Sequence, residues 1–378
     1  MRILIAPDSF KGSLSAQEIC EVCEDVAKRH FSNIEVFKYP LADGGEGTVE
    51  SLVGCTGGEF RIVRVSNPLG VYIEARYGIL GNSDTAVIEM AEASGLNKIQ
   101  EKQRNPMITS TYGTGELIRH ALDQGCKRFI IGIGGSATND CGIGVIQALG
   151  AKVLDISGNI VAPGGDGLLQ AHSIDLSGFD PRIKECSFTI ACDVNNPLTG
   201  PNGAAYVYAP QKGATEEMVV TLDSGLKNFA SLIKQQIGVD VESVPGAGAA
   251  GGLGACFLSF FQGKLQSGIE IVMKESNIEQ IMEKVDIVIT GEGKIDTQTK
   301  CGKTPFGVAT LAKKYNIPVI AVCGVLDISH IQLSSINIDA AFSIINSPCN
   351  SADAISNGKH NLKNTLYNVI KLLQLKNK

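Results

Sequence analysis

The residues able to do chemistry in this chain collect where short apolar runs break into glycine. The densest collection is RFIIGIGGSATNDCGIG, Arg128–Gly144. Phe129-Ile130-Ile131 is long enough for a buried strand. Gly132, Gly134 and Gly135 break it, and Ser136, Thr138, Asn139 and Asp140 follow before a helical pattern from Gly144. A strand, a glycine turn and a helix N-terminus bring bare backbone N–H groups and the positive end of the helix dipole to one spot. Gly134, Gly135, Ser136, Thr138 and Asn139 are therefore candidates for holding phosphate or carboxylate oxygens. Asp140 is the odd member, because a carboxylate repels a phosphate unless a metal lies between them or it takes up a proton.

Other breaks repeat the pattern. Asp8, Ser9, Lys11 and Ser13 follow the apolar start Arg2–Ala6 and precede a helix capped by Ser15 with Glu18. Asp43 and Glu46 stand among the glycines of LADGGEGT, Leu41–Thr48, where paired carboxylates suit Mg²⁺ ligands or a general base. Thr111, Gly113 and Gly115 open a helix and form a second candidate anion site. Asp193, Asn195 and Asn196 follow the strand Phe188–Ala191, an arrangement that binds a metal or a hydroxyl group as readily as it makes a turn. Glu292, Lys294, Asp296 and Thr297 follow the strand Asp286–Thr290. Gly302-Lys303-Thr304-Pro305 then opens a helix with Thr304 expected as N-cap. Gly-Lys-Thr suggests a P-loop, but the first glycine of that motif falls on Thr297, so the motif fails. Lys294 and Lys303 still sit where a phosphate needs a cation.

Only five His occur and none lies in these loops, so a Ser-His-Asp or His-metal site has little to build on. The parts present suit phosphoryl transfer: donors for phosphate oxygens, a few carboxylates for Mg²⁺, cations, and a base for an attacking hydroxyl. The rival is an NAD-dependent oxidoreductase. Gly132-x-Gly134-x-x-Ala137 matches the dinucleotide fingerprint, and Asp155 ends the next strand where a ribose-binding acid belongs. Gly246-x-Gly248-x-x-Gly251 matches as well, and two matches in one chain lower the weight of each.

Composition narrows the partners. Net charge is −6 with no basic run, which argues against nucleic acid and anionic membrane. There is no Trp, so a base-stacking surface is not expected. No apolar run approaches about 18 residues, and the apolar start is too short for a signal peptide before Pro7-Asp8. The expectation is a soluble, cytoplasmic protein acting on small molecules as a monomer or homodimer. Eleven Cys are scattered through apolar runs. The one CxxC, Cys20 and Cys23, lies inside a helical pattern, so buried reduced thiols are expected rather than a zinc site.

The elements that must position these loops follow two patterns. Strand-then-helix units open the chain and return near its end, where a long helix spans Gly358–Leu375. Between Phe60 and Met90 apolar and polar residues alternate, as in an antiparallel meander. With 378 residues the expected architecture is α/β with two domains. A doubly wound parallel-sheet domain, residues 1–70 plus 284–378, is interrupted by a second α/β domain, residues 71–283. The site is expected in the cleft between them.

Taken in order, long motifs carry a family resemblance. APDSFKGSLSA (6–16), PLADGGEGT (40–48), SNPLG (66–70), EMAEASGL (89–96), TYGTGELI (111–118) and IGIGGSATND (131–140) come first. ACDVNNPLTGPNGAAYVYAPQKGA (191–214), PGAGAAGGLG (245–254), TGEGKIDTQT (290–299) and GKTPFGVA (302–309) follow. The sequence resembles the bacterial glycerate kinase family over nearly its whole length, with Cys141 standing where the family pattern leads one to expect glycine. The resemblance implies ATP- and Mg²⁺-dependent phosphorylation of D-glycerate, usually to 2-phosphoglycerate, on a flavodoxin-like domain with a second domain inserted. It also implies that the Gly132 loop is not an NAD site. Within that frame Asp193 is the expected base for the glycerate hydroxyl and Asp43 its rival, and the one that is not the base shares Mg²⁺ with Glu292. Ser136, Thr138 and the Gly134-Gly135 amides would hold phosphate or carboxylate oxygens. Lys11 and Lys294 would offset charge on the γ-phosphate or the glycerate carboxylate. Asp8, Ser9, Asn139, Asn195 and Thr297 complete the expected binding set.

Overall fold

Ile3-Leu4-Ile5-Ala6 is apolar without alternation, and all four residues are buried, as befits a central parallel strand covered on both faces. The computed structural model describes residues 1–300 and 302–375. The chain divides into two units, each with its own apolar core. The first comprises Met1–Asp43, Glu50–Thr56 and the chain from Ser267 onward; the second comprises Gly44–Val49 and Gly57–Gln266.

The first unit holds a five-stranded, wholly parallel sheet. Its strands run Glu35–Lys38, Arg2–Pro7, Ile287–Ile295, Val319–Leu326 and Ala340–Ser343 across the sheet. Numbered along the chain within this unit, that is the flavodoxin-like order 2-1-3-4-5, whose ligand-binding switch point lies between strands 1 and 3. The helix Ala16–His30 starts at the expected capping box of Ser15 and Glu18. The strand Ile287–Ile295 runs further than the expected break at Gly291. Val319–Leu326 accompanies it to its end (Ile295 opposite Leu326), whereas Arg2–Pro7 stops at Pro7 opposite Gly291. Glu292 is thus the first residue beyond the point where strands 1 and 3 part.

The second unit holds a six-stranded mixed sheet, ordered Lys264–Gln266, Ser187–Ala191, Arg128–Gly132, Thr85–Glu89, Tyr72–Ile79 and Glu59–Ser66. The first four strands are parallel, and the last three form the expected antiparallel meander. Phe129, Phe188, Phe257 and Phe261 pack ring against ring through its core. Lys152–Leu154 pairs with Ser173–Asp175 in a separate ribbon.

These boundaries differ from 71–283. Glu59–Ser66 belongs to the second unit because every residue of it pairs with Tyr72–Ile79. The helices Gly268–Glu275 and Glu279–Met282 belong to the first. Among the described residues the cysteines are free thiols. Cys20 and Cys23 are buried, and burial pushes the Cys23 thiol up to about 12, so neither offers a thiolate to a metal. Among the described residues no helix is long and apolar enough to cross a membrane.

Candidate active site

At the switch point of the first unit three acids come together. The Asp8 N–H donates to the Gly291 carbonyl (2.8 Å), which fixes Asp8 at the end of its strand. The chain returning from Glu35–Lys38 is held alongside by Tyr39 N–H to the Ile5 carbonyl and Leu41 N–H to the Pro7 carbonyl, and so delivers Asp43. Asp8 accepts from the Ser9 N–H (2.6 Å) and the Thr304 hydroxyl (2.8 Å). Burial, with the charge of Asp43 second, nevertheless raises its pKa to about 6. Glu292 is buried, accepts from the Thr299 hydroxyl (2.6 Å) and pairs with Lys303 (3.1 Å). Burial still moves its pKa upward. The helix Thr304–Lys314 begins beside these acids. Thr304 spends its hydroxyl on Asp8 and does not cap the helix, which differs from expectation.

A buried carboxyl whose proton is favoured by a neighbouring carboxylate offers, together with that neighbour, a donor set for a divalent cation. Mg²⁺ commonly takes only one or two protein carboxylates and completes its shell with phosphate oxygens and water. Asp8 with Asp43 fits that pattern better than the expected Asp43 with Glu292, because Glu292 already has a lysine counter-ion. Among the described residues no group of three or more His, Cys, Asp or Glu is arranged to hold a metal by itself.

In the second unit the expected anion loop is built differently from its reading. Asp140 is fully buried and accepts four hydrogen bonds, from the Thr111 N–H (2.8 Å) and hydroxyl (2.9 Å) and from the N–H groups of Gly142 (3.2 Å) and Gly144 (3.3 Å). One internal carboxylate therefore occupies both expected anion sites, at the start of Ile143–Ala148 and at the start of Tyr112–Asp123. This resolves its anomaly: it is an internal acceptor that ties two helix ends together, and burial pushes its pKa upward. Thr138 and Asn139 are completely buried, Ser136 nearly so, and Gly134 and Gly135 are exposed. Lys212, which sequence reasoning passed over, is buried beneath the loop. Its ammonium donates to Ser136 Oγ (2.8 Å) and to the Thr138 carbonyl (2.6 Å). A lysine set among small residues in APQKGA was the only signal of it.

The dinucleotide reading does not survive this geometry. A Cβ on Gly132 would lie 2.7 Å from the Gly44 carbonyl oxygen, so this glycine admits the Gly44–Val49 segment. A Cβ on Gly251 would lie 2.1 Å from the Thr138 carbonyl oxygen, which makes the second match a packing contact too. Asp155 closes a turn by accepting from the N–H groups of Ser157 and Asn159, and its strand is not in the parallel sheet.

The remaining candidates belong partly to each unit. Asp193 and Asn195 are exposed just past the strand Ser187–Ala191. Asn196 is structural, bonded to the Asn202 carbonyl and the Tyr208 hydroxyl. Lys11 is exposed in a turn closed by Phe10 and Leu14. Lys294 pairs with Asp327 (3.0 Å) and Asp296 (3.3 Å), and Thr297 is exposed while its neighbour Thr299 carries the bond to Glu292.

The model of the glycerate kinase family matches residues 3–374. The chain belongs to the glycerate kinase family. It is 49% identical to the glycerate 2-kinase of Escherichia coli K12 over 92% of this chain and 91% of that one. It is 48% identical to the glycerate kinase of Bacillus subtilis 168 over 99% and 98%. A crystal structure of a protein described as glycerate kinase 2, from Salmonella typhimurium LT2, superposes with a TM-score of 0.91 at 48% identity, covering 100% of this chain and 99% of that one. Membership of the glycerate kinase family makes the chain a kinase.

Proposed function

We propose that this chain phosphorylates D-glycerate at the 2-hydroxyl, with ATP as phosphoryl donor and Mg²⁺ as cofactor, to give 2-phosphoglycerate. The observation that carries the reading, beside the family, is the acid cluster at the switch point: Asp8 has a raised pKa and Asp43 as its charged neighbour. Those two carboxylates would hold Mg²⁺, which when bound offsets charge on the phosphate oxygens. Lys303, held by Glu292, lies at the start of the helix Thr304–Lys314 and supplies positive charge beside the same strand end. In the second unit the exposed Gly134-Gly135 turn and Ser136 would hold an anionic oxygen, and Asp193 would take the proton of the attacking hydroxyl. The same reading makes the protein a cytoplasmic enzyme acting on small molecules.

The test is ADP release with Mg²⁺-ATP and D-glycerate, with the product identified by phosphorus NMR. Formation of 2-phosphoglycerate is expected. A 3-phosphoglycerate product overturns the regiochemistry, and activity only on another hydroxy acid overturns the substrate. For the base, Asp193→Asn should lower kcat by roughly 10²–10⁴ with folding intact. A near-normal kcat transfers that role to Asp43.

A further inference from the structure

Lys212 is buried, yet its two hydrogen bonds go to uncharged oxygens, the Ser136 hydroxyl and the Thr138 carbonyl. An ammonium only donates, so Ser136 Oγ must accept from it and is left with its own proton to give elsewhere. The residues preceding Ser136 are the exposed Gly134 and Gly135, with Gly135 at φ +74°. The two that follow Ala137 carry buried polar atoms without partners in the structure: Thr138 Oγ1 and both amide atoms of Asn139. A loop with a buried lysine ammonium beneath it, a hydroxyl forced to donate and polar atoms left over is incomplete without a polar ligand.

We propose that Lys212 is a positioning residue: it holds Ser136 with its hydroxyl proton turned out to bind an anionic oxygen of the substrates. The oxygen belongs either to the carboxylate of the hydroxy acid or to a phosphate, and this inference rests on the kinase reading given above. Burial pushes the lysine down to about 7, and Asp140 opposes that shift. The neighbouring elements carry further ionisable groups: Arg104, whose backbone lies against Gly213, Tyr208, whose hydroxyl is bonded to Asn196, and the exposed Tyr206 of the same helix. A neutral amine can accept a hydrogen bond, so loss of the proton lets the Ser136 hydroxyl turn inward. The anion and the lysine proton should therefore bind together.

The experiment measures steady-state constants and calorimetric binding of D-glycerate and of Mg²⁺-ATP, from pH 6 to 9, in the wild type, Lys212→Met, Ser136→Ala and the double variant. In the wild type the KM of one substrate should rise above about pH 7, with proton uptake on binding. In Lys212→Met that KM should be raised about tenfold or more and be flat with pH, with no proton uptake. Ser136→Ala should raise the same KM, and the double variant should be no worse than the singles. Which KM moves identifies the oxygen as carboxylate or phosphate. Thermal melts confirm folding, and if Lys212→Met fails to fold, Ser136→Ala and the wild-type proton uptake carry the test. Turnover of glycerate with both constants and the pH profile unchanged in Lys212→Met and Ser136→Ala overturns the proposal and leaves the kinase reading standing. Lysine-dependent proton uptake on binding, without turnover of glycerate, overturns that reading and leaves the anion subsite. Absence of both overturns both.

Discussion

Asp8 shows how a single side chain reports its environment. Its proton is held more tightly in the folded protein, with a pKa of about 6, than at the ordinary aspartate value of 3.8. A raised acid pKa means that the folded state binds the extra proton, so the stabilising share of Asp8 is complete below about pH 4 and is lost as pH rises through about 6. At pH 7.5 the ionised carboxylate, facing Asp43, costs on the order of 3 kcal/mol. Asp8→Asn should therefore melt higher than the wild type at pH 7.5 and at the same temperature near pH 4. Mg²⁺-ATP should raise the melting temperature of the wild type and do little for the variant, because only an ionised acid gains from the cation. A gap that does not change with pH, or a less stable variant at pH 7.5, contradicts the cluster. At this scale the sequence was most legible in residue type. Asp8, Asp43 and Glu292 stood out as acids at strand ends, and the structure brings all three to one switch point. What pairs with each was not legible. Thr299 and Lys303 reach Glu292 across turns whose geometry no spacing rule predicts. Asp140 was noticed only as a misfit, because two of its four donors come from Thr111, far away in sequence.

The strand–glycine–helix element around Gly132 was read correctly as an element and misread in part of its purpose. Glycine that bares a backbone for phosphate and glycine that makes room for a neighbour look alike in sequence. Gly142 belongs to the second kind. It has φ +72°, and a Cβ there would lie 2.4 Å from Cys256 Sγ and 2.5 Å from its Cβ. Cys141, where the family pattern suggested glycine, also sits in the left-handed region at φ +47°. The turn thus carries successive left-handed residues before Ile143–Ala148. Gly142→Ala should destabilise the protein by about 2–4 kcal/mol, from the left-handed backbone and the overpacking together. The effect should appear as a lower midpoint in urea unfolding. Cys141→Gly should stay within about 1 kcal/mol of the wild type, since relief of the backbone offsets the lost burial of a small side chain. The reverse ranking would show that the turn is held by the buried thiols and not by its backbone.

At the scale of the whole chain, legibility followed periodicity. Unalternating apolar strands with helices between them announced a doubly wound sheet, and the alternation after Phe60 announced a meander, so the architecture could be read. The boundaries could not, because pairing of Glu59–Ser66 with Tyr72–Ile79 is a tertiary fact. The consequence of two cores is two cooperative units. Ile3, Ile5, Ile289 and Val322 lie in one cluster. Phe129, Phe188, Phe257 and Phe261 lie in the other. Each unit buries enough apolar surface to open as one piece. Phe257 is fully buried and packs against Phe188 and Phe261, so Phe257→Ala should remove about 3–5 kcal/mol from the second core. Native-state hydrogen exchange should then show faster opening in Arg128–Gly132 and Ser187–Ala191. The amides of Ile287–Ile295 and Val319–Leu326 should keep their protection, because none of their packing has changed. Equal loss of protection in both sheets would mean that the chain unfolds as one body. The several crossings of the chain between the units, at residues 43–44, 49–50, 56–57 and 266–267, would then transmit the damage.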